Sequence, residues 1–342
     1  MKMRAEQKTA VKNSIGRLVF VALSVLLQVI WICVQAMKLN RYSTWISVAT
    51  SVLTLVVVIL LYGRRTNAAF KMPWIILILA FPVLGLCIYL VFGHKNVVAK
   101  AMRRRFETIE PVLFEQIPQD EAVLGRLEEQ DFAVANQCRY IKRFGHYPVY
   151  RNTDVTFYPD AAEGLAAQLH DLASAEHFIF MEYFILKEGY MWEKILEILE
   201  RKVQAGVEVR VMYDGTCAMF DLPYRYPEEL KAKGMQCKMF APIRPILSTH
   251  YNNRDHRKIL VIDGKVGFTG GVNIGDEYIN RVEKHGHWKD TAVMLKGDAV
   301  QGLTMMFLQM WNITEHQADD YARYLCKPDY QYPAGLDRSG FA

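Results

Sequence analysis

None of the six cysteines in this 342-residue chain stands in a C-x-x-C pair: Cys33, Cys87, Cys138, Cys217, Cys237 and Cys326 are scattered. That spacing gives neither a zinc-ribbon arrangement nor a disulfide framework. Cys33 and Cys87 fall inside apolar runs and read as small hydrophobes, and the rest suits a reduced, cytoplasmic-type compartment. A strong excess of one charge is also lacking. With 41 Lys and Arg against 36 Asp and Glu, the formal net charge is +5. This does not by itself point to nucleic acid, but it suits work against an anionic surface. Long apolar runs are lacking after about residue 95. Hydrophobic residues nevertheless make up 51% of the chain and mean hydropathy is +0.02, so the surplus is concentrated in the first quarter.

Three apolar stretches lie there, at about residues 18–37, 45–62 and 73–92. Each approaches the roughly 20 residues that cross a bilayer core. Trp31, Trp45, Tyr62, Trp74 and Tyr89 mostly sit towards their ends, as interfacial aromatics do. Pro82 and Gly85 interrupt the third stretch and predict a kink. The first has a basic lead (Lys2, Arg4, Lys8, Lys12, Arg17), but its run is longer than a signal-peptide core and no A-x-A-like site follows. It reads as a retained anchor. Basic residues number five before the first stretch, two in the next segment (Lys38, Arg41), three in the next (Arg64, Arg65, Lys71) and five after the third (Lys95, Lys100, Arg103, Arg104, Arg105). With three crossings the alternate segments hold eight against seven, a margin on which the positive-inside rule does not choose. A re-entrant stretch changes that count. The Arg103–Arg105 cluster suits anionic lipid, at about 1 kcal/mol per basic residue near the surface.

Residues 96 to about 140 are charged and helix-favouring, and read as a connecting segment near the membrane surface. Residues 147–158 read as extended, because Pro148 disfavours a helix. Residues 177–186 (HFIFMEYFIL) are apolar and aromatic enough for a buried strand. Trp192, Ile195, Leu196, Leu199 and Val203 recur at helical spacing, and residues 207–213 form the next strand, closed by Asp214-Gly215. Strand, helix and strand within about forty residues predict a parallel pair with a right-handed crossover. Residues 258–262, 266–269 and 291–295 supply further strands and 299–311 a covering helix. The expected fold is α/β, with helices packed on a central mixed sheet.

His256-Arg257-Lys258 with Asp263 reads H-x-K-x4-D at the mouth of an apolar strand. Alternation sets His256 and Lys258 on one side. An imidazole beside an ammonium suits attack on a phosphodiester: one acts as nucleophile or proton carrier, the other neutralises phosphate oxygens. A lone His near a Lys is more often a surface coincidence. Here Asn252-Asn253-Arg254-Asp255 precede the pair and Gly270-Gly271-Val272-Asn273 follow it, a dense phosphate-compatible set. Asp263 lies seven residues from His256, an odd step that turns it to the other face, and reads as structural. Glu182 sits in a strongly apolar strand, where an unpaired carboxylate is costly. It is expected to pair with Arg254 or Lys258, or to line the site. Arg254 is open to either phosphate binding or a salt bridge. His285 and His287 without further ligands are a weak metal signal.

The segment NNRDHRKILVIDGKVGFTGGVNIGDEYIN resembles the HKD motif of the phospholipase D superfamily and is similar to the first such motif of bacterial cardiolipin synthases. WIILILAFPVLGLCIYLVFGHK resembles the membrane segment ahead of their catalytic lobe. The resemblance implies a membrane segment over 1–95 with two to three transmembrane helices, a helical linker over 96–140, and a first phospholipase D-like lobe over 141–327. Residues 328–342 would be a tail leading towards a second lobe. It makes His256 the nucleophile of a phosphohistidine intermediate and Lys258 the group that binds non-bridging oxygens, with Asp263 the third motif member. Asn273 and Arg254 become phosphate-binding residues. Asp290 becomes the acid that orients His256, because the family keeps an acid downstream of Gly-Gly-x-Asn. No metal and no cofactor are implied. The implied reaction joins two phosphatidylglycerols into cardiolipin and glycerol. Alternatives are a phospholipase D-type hydrolase, a transferase with another acceptor, or a catalytically silent protein that binds lipid or a partner. The implied setting is the cell membrane, multi-pass, with a cytoplasmic lobe and no nucleic-acid partner. None of the other eight histidines begins an H-x-K-x4-D, while the chemistry normally uses two. The second lobe is therefore expected from a homodimer mate, a separate chain or a missing C-terminal part.

Overall fold

The computed structural model describes residues 19–33, 43–93, 97–217, 221–242, 254–284, 286–313, 315, 318–325, 335 and 340–342. The basic N-terminal lead, Lys38, Arg41, His250, Asn252, Asn253, His285 and most of 328–342 lie outside the described residues. The chain divides into two compact units, Met1–Ala101 with Arg244–Asn252, and Met102–Ile243 with Asn253–Ala342.

The first unit holds helices α1 (residues 19–33), α2 (Ser43–Gly63), α3 (Ala68–Ala80) and α4 (Pro82–Phe92). Their sequences are apolar, and many large side chains are exposed, among them Leu55, Leu60, Phe70, Ile76 and Leu90. Among the described residues no helix is long and apolar enough to cross a membrane, so these helices do not show the expected transmembrane segment. The third apolar stretch does more than kink. It separates into α3 and α4 at Phe81 (φ −133°, ψ 78°). Pro82 offers no N–H to continue α3, and its ring drives the preceding residue out of helical backbone.

The second unit is built on a seven-stranded sheet in the order β1-β7-β6-β5-β2-β3-β4. The strands are β1 (Thr153–Tyr158), β2 (Phe178–Tyr183), β3 (Glu208–Asp214), β4 (Gln236–Phe240), β5 (Lys258–Ile262), β6 (Val266–Gly270) and β7 (Ala292–Gly297). Strands β2, β3 and β4 run parallel, and the other pairings are antiparallel. The expected strand–helix–strand unit is present as β2, α9 (Tyr190–Gln204) and β3. Every residue of β2 is buried, as a central strand covered on both faces requires.

Alternation along β2 and β5 sorts the core into two layers. Ile179, Met181, Leu260 and Ile262 face α8 (Ala161–Ala173), α9 and α10 (Tyr226–Ala232), where Leu165, Trp192, Ile195, Leu199 and Leu230 are buried with them. Phe178, Phe180, Ile259 and Val261 face α11 (Val300–Asn312), with Phe180 stacked on Phe307 at 4.5 Å. Each fully buried side chain of this size is worth about 1.5–3 kcal/mol.

Helices α5 (Val97–Glu115), α6 (Glu121–Gln130) and α7 (Phe132–Gly145) occupy the expected linker. Ile109, Leu113 and Ile117 recur every four residues and are buried in the α11 layer. This part of the connecting segment therefore packs into the lobe's core. Of the chain's closing residues, Ala342 exchanges backbone hydrogen bonds with Tyr150 at 2.7 and 2.9 Å.

Candidate active site

Strand β5 runs against β2, so its first residue, Lys258, pairs with Tyr183 at the carboxyl end of β2. Strand β6 returns beside β5 and delivers Gly270-Gly271 to the same end. The site thus lies beyond the carboxyl ends of the parallel strands, the usual place for ligands in open α/β sheets.

His256 is exposed and Lys258 only 5% so. The Lys258 Nζ lies 3.2 Å from His256 Nδ1 and donates to the His256 carbonyl at 2.7 Å. The expected pairing of imidazole and amine is present. Burial lowers the Lys258 pKa from its ordinary 10.5, against the opposing pull of Asp255 and Asp290. The Phe184 ring packs on the imidazole at 4.6 Å and lies 5.3 Å below the ammonium. Phe184 was not singled out in the sequence. The signal was its place directly after Tyr183, the register partner of Lys258.

The Asp290 carboxylate lies against the Gly-Gly turn. It accepts from Thr291 N at 2.8 Å and from Trp288 Nε1 at 3.5 Å, and a Cβ at Gly271 would fall 2.0 Å from its Oδ1. A larger residue there would have to displace the Asp290 carboxylate. Asn273 is buried. Its Oδ1 accepts from Ile185 N at 2.9 Å and its Nδ2 donates to the Tyr278 hydroxyl at 2.8 Å. Any donation to phosphate falls to the second amide hydrogen.

Asp263 stands at the far end of β5, about 17 Å along the strand from Lys258. Its carboxylate accepts from the backbone N–H groups of Glu176, His177 and Phe178, each at 2.8 Å. It ties the end of β5 to the start of β2, in keeping with the structural reading.

Glu182 differs from expectation. It pairs in register with Ile259, so it faces the opposite layer from Lys258. Its partner is Arg257, at 2.5 Å, rather than Arg254 or Lys258. The contact is a charge pair without aligned hydrogen bonds, as both Glu182 oxygens and Arg257 Nη2 lack one. Burial pushes the Glu182 carboxyl well above its ordinary range, outweighing the pull of Arg257, and neighbouring Asp255 raises it further. Asp255 also accepts from Arg257 Nε at 3.1 Å. Arg254 takes the salt-bridge alternative, donating to Asp214 Oδ1 at 3.0 Å and to the Ala241 carbonyl at 3.1 Å. The other Asp214 oxygen accepts from Asp255 N at 3.0 Å. Asp214 thus fixes the backbone that leads into His256, a role the sequence did not indicate. Among the described residues no group of His, Cys, Asp and Glu is arranged to hold a metal ion.

Residues 169–311 match the family described as cardiolipin synthase, PLD-like domain, and residues 50–94 the phospholipase D-nuclease N-terminal family. An uncharacterized protein of Streptococcus mutans is 43% identical over 268 residues, covering 78% of this chain and 58% of that protein. A cardiolipin synthase of Geobacillus thermodenitrificans is 35% identical over 265 residues, 77% of this chain and 52% of that protein. The chain therefore spans about half the length of the curated relatives it matches. Among solved structures, the phospholipase D family member Nuc of Salmonella typhimurium aligns with a TM-score of 0.35 at 16% identity, over 48% of this chain and 95% of that one.

Proposed function

Since residues 169–311 belong to the cardiolipin synthase, PLD-like domain family, we propose that this chain supplies the nucleophilic half of a membrane-bound phosphatidyltransferase. The observation that carries the reading is the Lys258 amine 3.2 Å from the exposed imidazole of His256. His256 attacks the phosphorus of one phosphatidylglycerol. The P–O bond to the departing glycerol breaks, and an acid on a second HKD lobe protonates that alkoxide. The glycerol hydroxyl of a second phosphatidylglycerol, deprotonated by the same group, then attacks the phosphohistidine. Cardiolipin forms and His256 is released. Lys258 and the second amide hydrogen of Asn273 stabilise the equatorial oxygens of the five-coordinate phosphorus.

While the Lys258 ammonium donates to Nδ1, the neutral ring carries its proton on Nε2. Attack through Nε2 needs the other tautomer, with the proton on Nδ1 and the ring turned so that Nδ1–H reaches an acceptor; Asp290 is that acceptor. The apolar stretches before residue 95 hold the chain in the cell membrane, where both substrates reside, with the lobe on the cytoplasmic side. The second lobe comes from a homodimer mate, a separate chain or a C-terminal continuation.

The test is turnover of labelled phosphatidylglycerol by the purified chain, with its oligomeric state measured in the same preparation. Cardiolipin formed by a dimer and lost in His256→Ala supports the reading. Cardiolipin output unchanged in His256→Ala ends it. Product analysis separates the transferase from a hydrolase, which would release phosphatidic acid. A second reading, a catalytically silent lipid- or partner-binding protein, is favoured by the single H-x-K-x4-D in this chain. An inactive monomer that stays inactive when supplied with a second lobe would support it.

A further inference from the structure

We infer that residues 68–92 form a re-entrant hairpin, which enters and leaves the bilayer by the same face and is not a third crossing. The inference rests on the membrane reading given above, but not on the transferase chemistry. Helices α3 and α4 are folded back on one another. The Trp74 and Tyr89 rings meet edge to face at 5.5 Å, and a Cβ at Gly85 would lie 2.7 Å from Ile78 Cα and 2.6 Å from the Leu77 carbonyl. Both pairs, 74 with 89 and 78 with 85, are centred between Phe81 and Pro82. Only an antiparallel turn at that point gives such symmetry, since in a straight helix positions 74 and 89 would be about 22 Å apart.

The arms are 13 and 11 residues long, or about 20 and 16 Å, against a hydrocarbon core of about 30 Å. They reach the middle of the bilayer but not its far side. A turn at that depth must satisfy its own backbone. Phe81 N donates to the Leu77 carbonyl at 2.9 Å and Gly85 N to the Phe81 carbonyl at 2.6 Å. Leu84 N donates to the side chain of Gln28 at 2.8 Å. This contact explains why the apolar helix α1 carries a buried glutamine. It also fixes the depth of the tip, because Gln28 stands at the middle of the apolar run 18–37. At the open end Lys71 donates to the carbonyls of Tyr62 and Arg64, and the Arg64 guanidinium lies 6.0 Å from the Tyr89 ring. Phe70, Met72, Ile76, Leu79 and Leu90, all exposed, then face lipid.

The hairpin resolves the charge count. It places the basic residues of 64–71 and those of 95–105 on one face. On the sequence reading that the stretches 18–37 and 45–62 cross, the N-terminal five join them, giving thirteen basic residues (five, three and five) against the two at Lys38 and Arg41. The positive-inside rule makes that face cytoplasmic.

Single cysteines at Arg65→Cys, Phe81→Cys and Thr108→Cys, in the full chain freed of its other cysteines, test this with a membrane-impermeant maleimide. Arg65→Cys and Thr108→Cys should label in inverted vesicles and not in intact spheroplasts. Phe81→Cys should label in neither, and a fluorophore placed there by reaction in detergent should be quenched by lipid carrying a nitroxide at the bilayer centre. Labelling of 65 and 108 from opposite faces overturns the hairpin in favour of a crossing, and aqueous labelling of 81 overturns insertion. Fusions after Thr66 and after Thr108 to a fluorescent protein that folds only in the cytoplasm give the same reading with the native cysteines in place. Both should fluoresce, and a single fluorescent fusion overturns the proposal. The same labelling in His256→Ala, which lacks turnover, keeps failure of the chemistry apart from failure of the topology.

Discussion

Two charged clusters share residues 254–258, and the sheet sends them to opposite fates. His256 and Lys258 point forward, to the end of the sheet where the imidazole is exposed with the Phe184 ring packed on it. Arg257, between them in sequence, turns back with Asp255 to meet Glu182, which has no exposure at all. The first cluster keeps its groups free for a ligand. The second has spent its charges on one another. Burial moves both in the direction that favours the neutral form, lowering Lys258 and raising Glu182. The comparison teaches that charge near a motif identifies a site only once its face is known.

Substitutions break this comparison most sharply on the open side. His256→Ala should lower turnover of phosphatidylglycerol by about 10³-fold or more, because none of the site's other described side chains replaces the attacking nitrogen. Circular dichroism of the variant should be unchanged; a residual rate near the parent would erase the distinction between the clusters. Lys258→Met should cost about 10²–10³-fold in kcat with little change in KM, as expected for a group that acts on transition-state charge. In the parent, the alkaline fall of kcat should lie below the 10.5 of an ordinary lysine, measured as a pH–rate profile; a limb at or above that value would contradict the buried ammonium.

On the sealed side the effects should appear in stability. Arg257→Met leaves the Glu182 carboxyl buried without its counter-charge and should destabilise the lobe by about 3 kcal/mol, read by denaturant unfolding. Recovery of most of that loss in the double variant with Glu182→Met would show that the pair, and not the packing of Arg257, is responsible. The smallest effect concerns pH. Because the folded pKa of Glu182 is raised, its contribution is fully present below the unfolded value near 4.5 and is lost as pH rises through the folded value. Glu182→Gln should therefore flatten the decline of stability as pH rises above the unfolded value near 4.5. An unchanged slope would mean the carboxyl titrates normally.

Much of the lobe was legible in its residues. The apolar strands at β2, β3 and β5 and the helical stripe of α9 carry periodicity strong enough to place them. β4 did not show itself, because Gln236–Phe240 is short and buries only Cys237 and Phe240. Neither did α8, whose run of alanines around Gly164 carries few large apolar residues and which begins at an Asp160 cap accepting from Ala162 N. In the site, H-x-K spacing correctly brought His256 to Lys258 and sent Asp263 away. Glu182 was placed wrongly because a strand's apolar character tells how deeply a carboxylate is buried but not which layer it enters. That depended on the register of β2 with β5, which pairs residue 182 with 259 and 183 with 258. Phe184 was missed for the same reason, since it follows Tyr183 at the β2–β5 pairing. Asp214 was missed because it meets Arg254 and Asp255 only in the tertiary structure, with no pairing between β3 and β5.

What the sequence determined alone is the imidazole–amine pair at residues 256 and 258, the parallel strand–helix–strand unit and the concentration of apolar residues before 95. These follow from composition and from periods of two and 3.6 residues, which are local properties of the chain. The tertiary structure decided which charged groups share a face, and that the third apolar stretch turns back at Phe81-Pro82 where its length alone would have carried it straight on. Those outcomes depend on pairings between residues far apart in sequence, or on a backbone break whose angle no hydrophobic count contains.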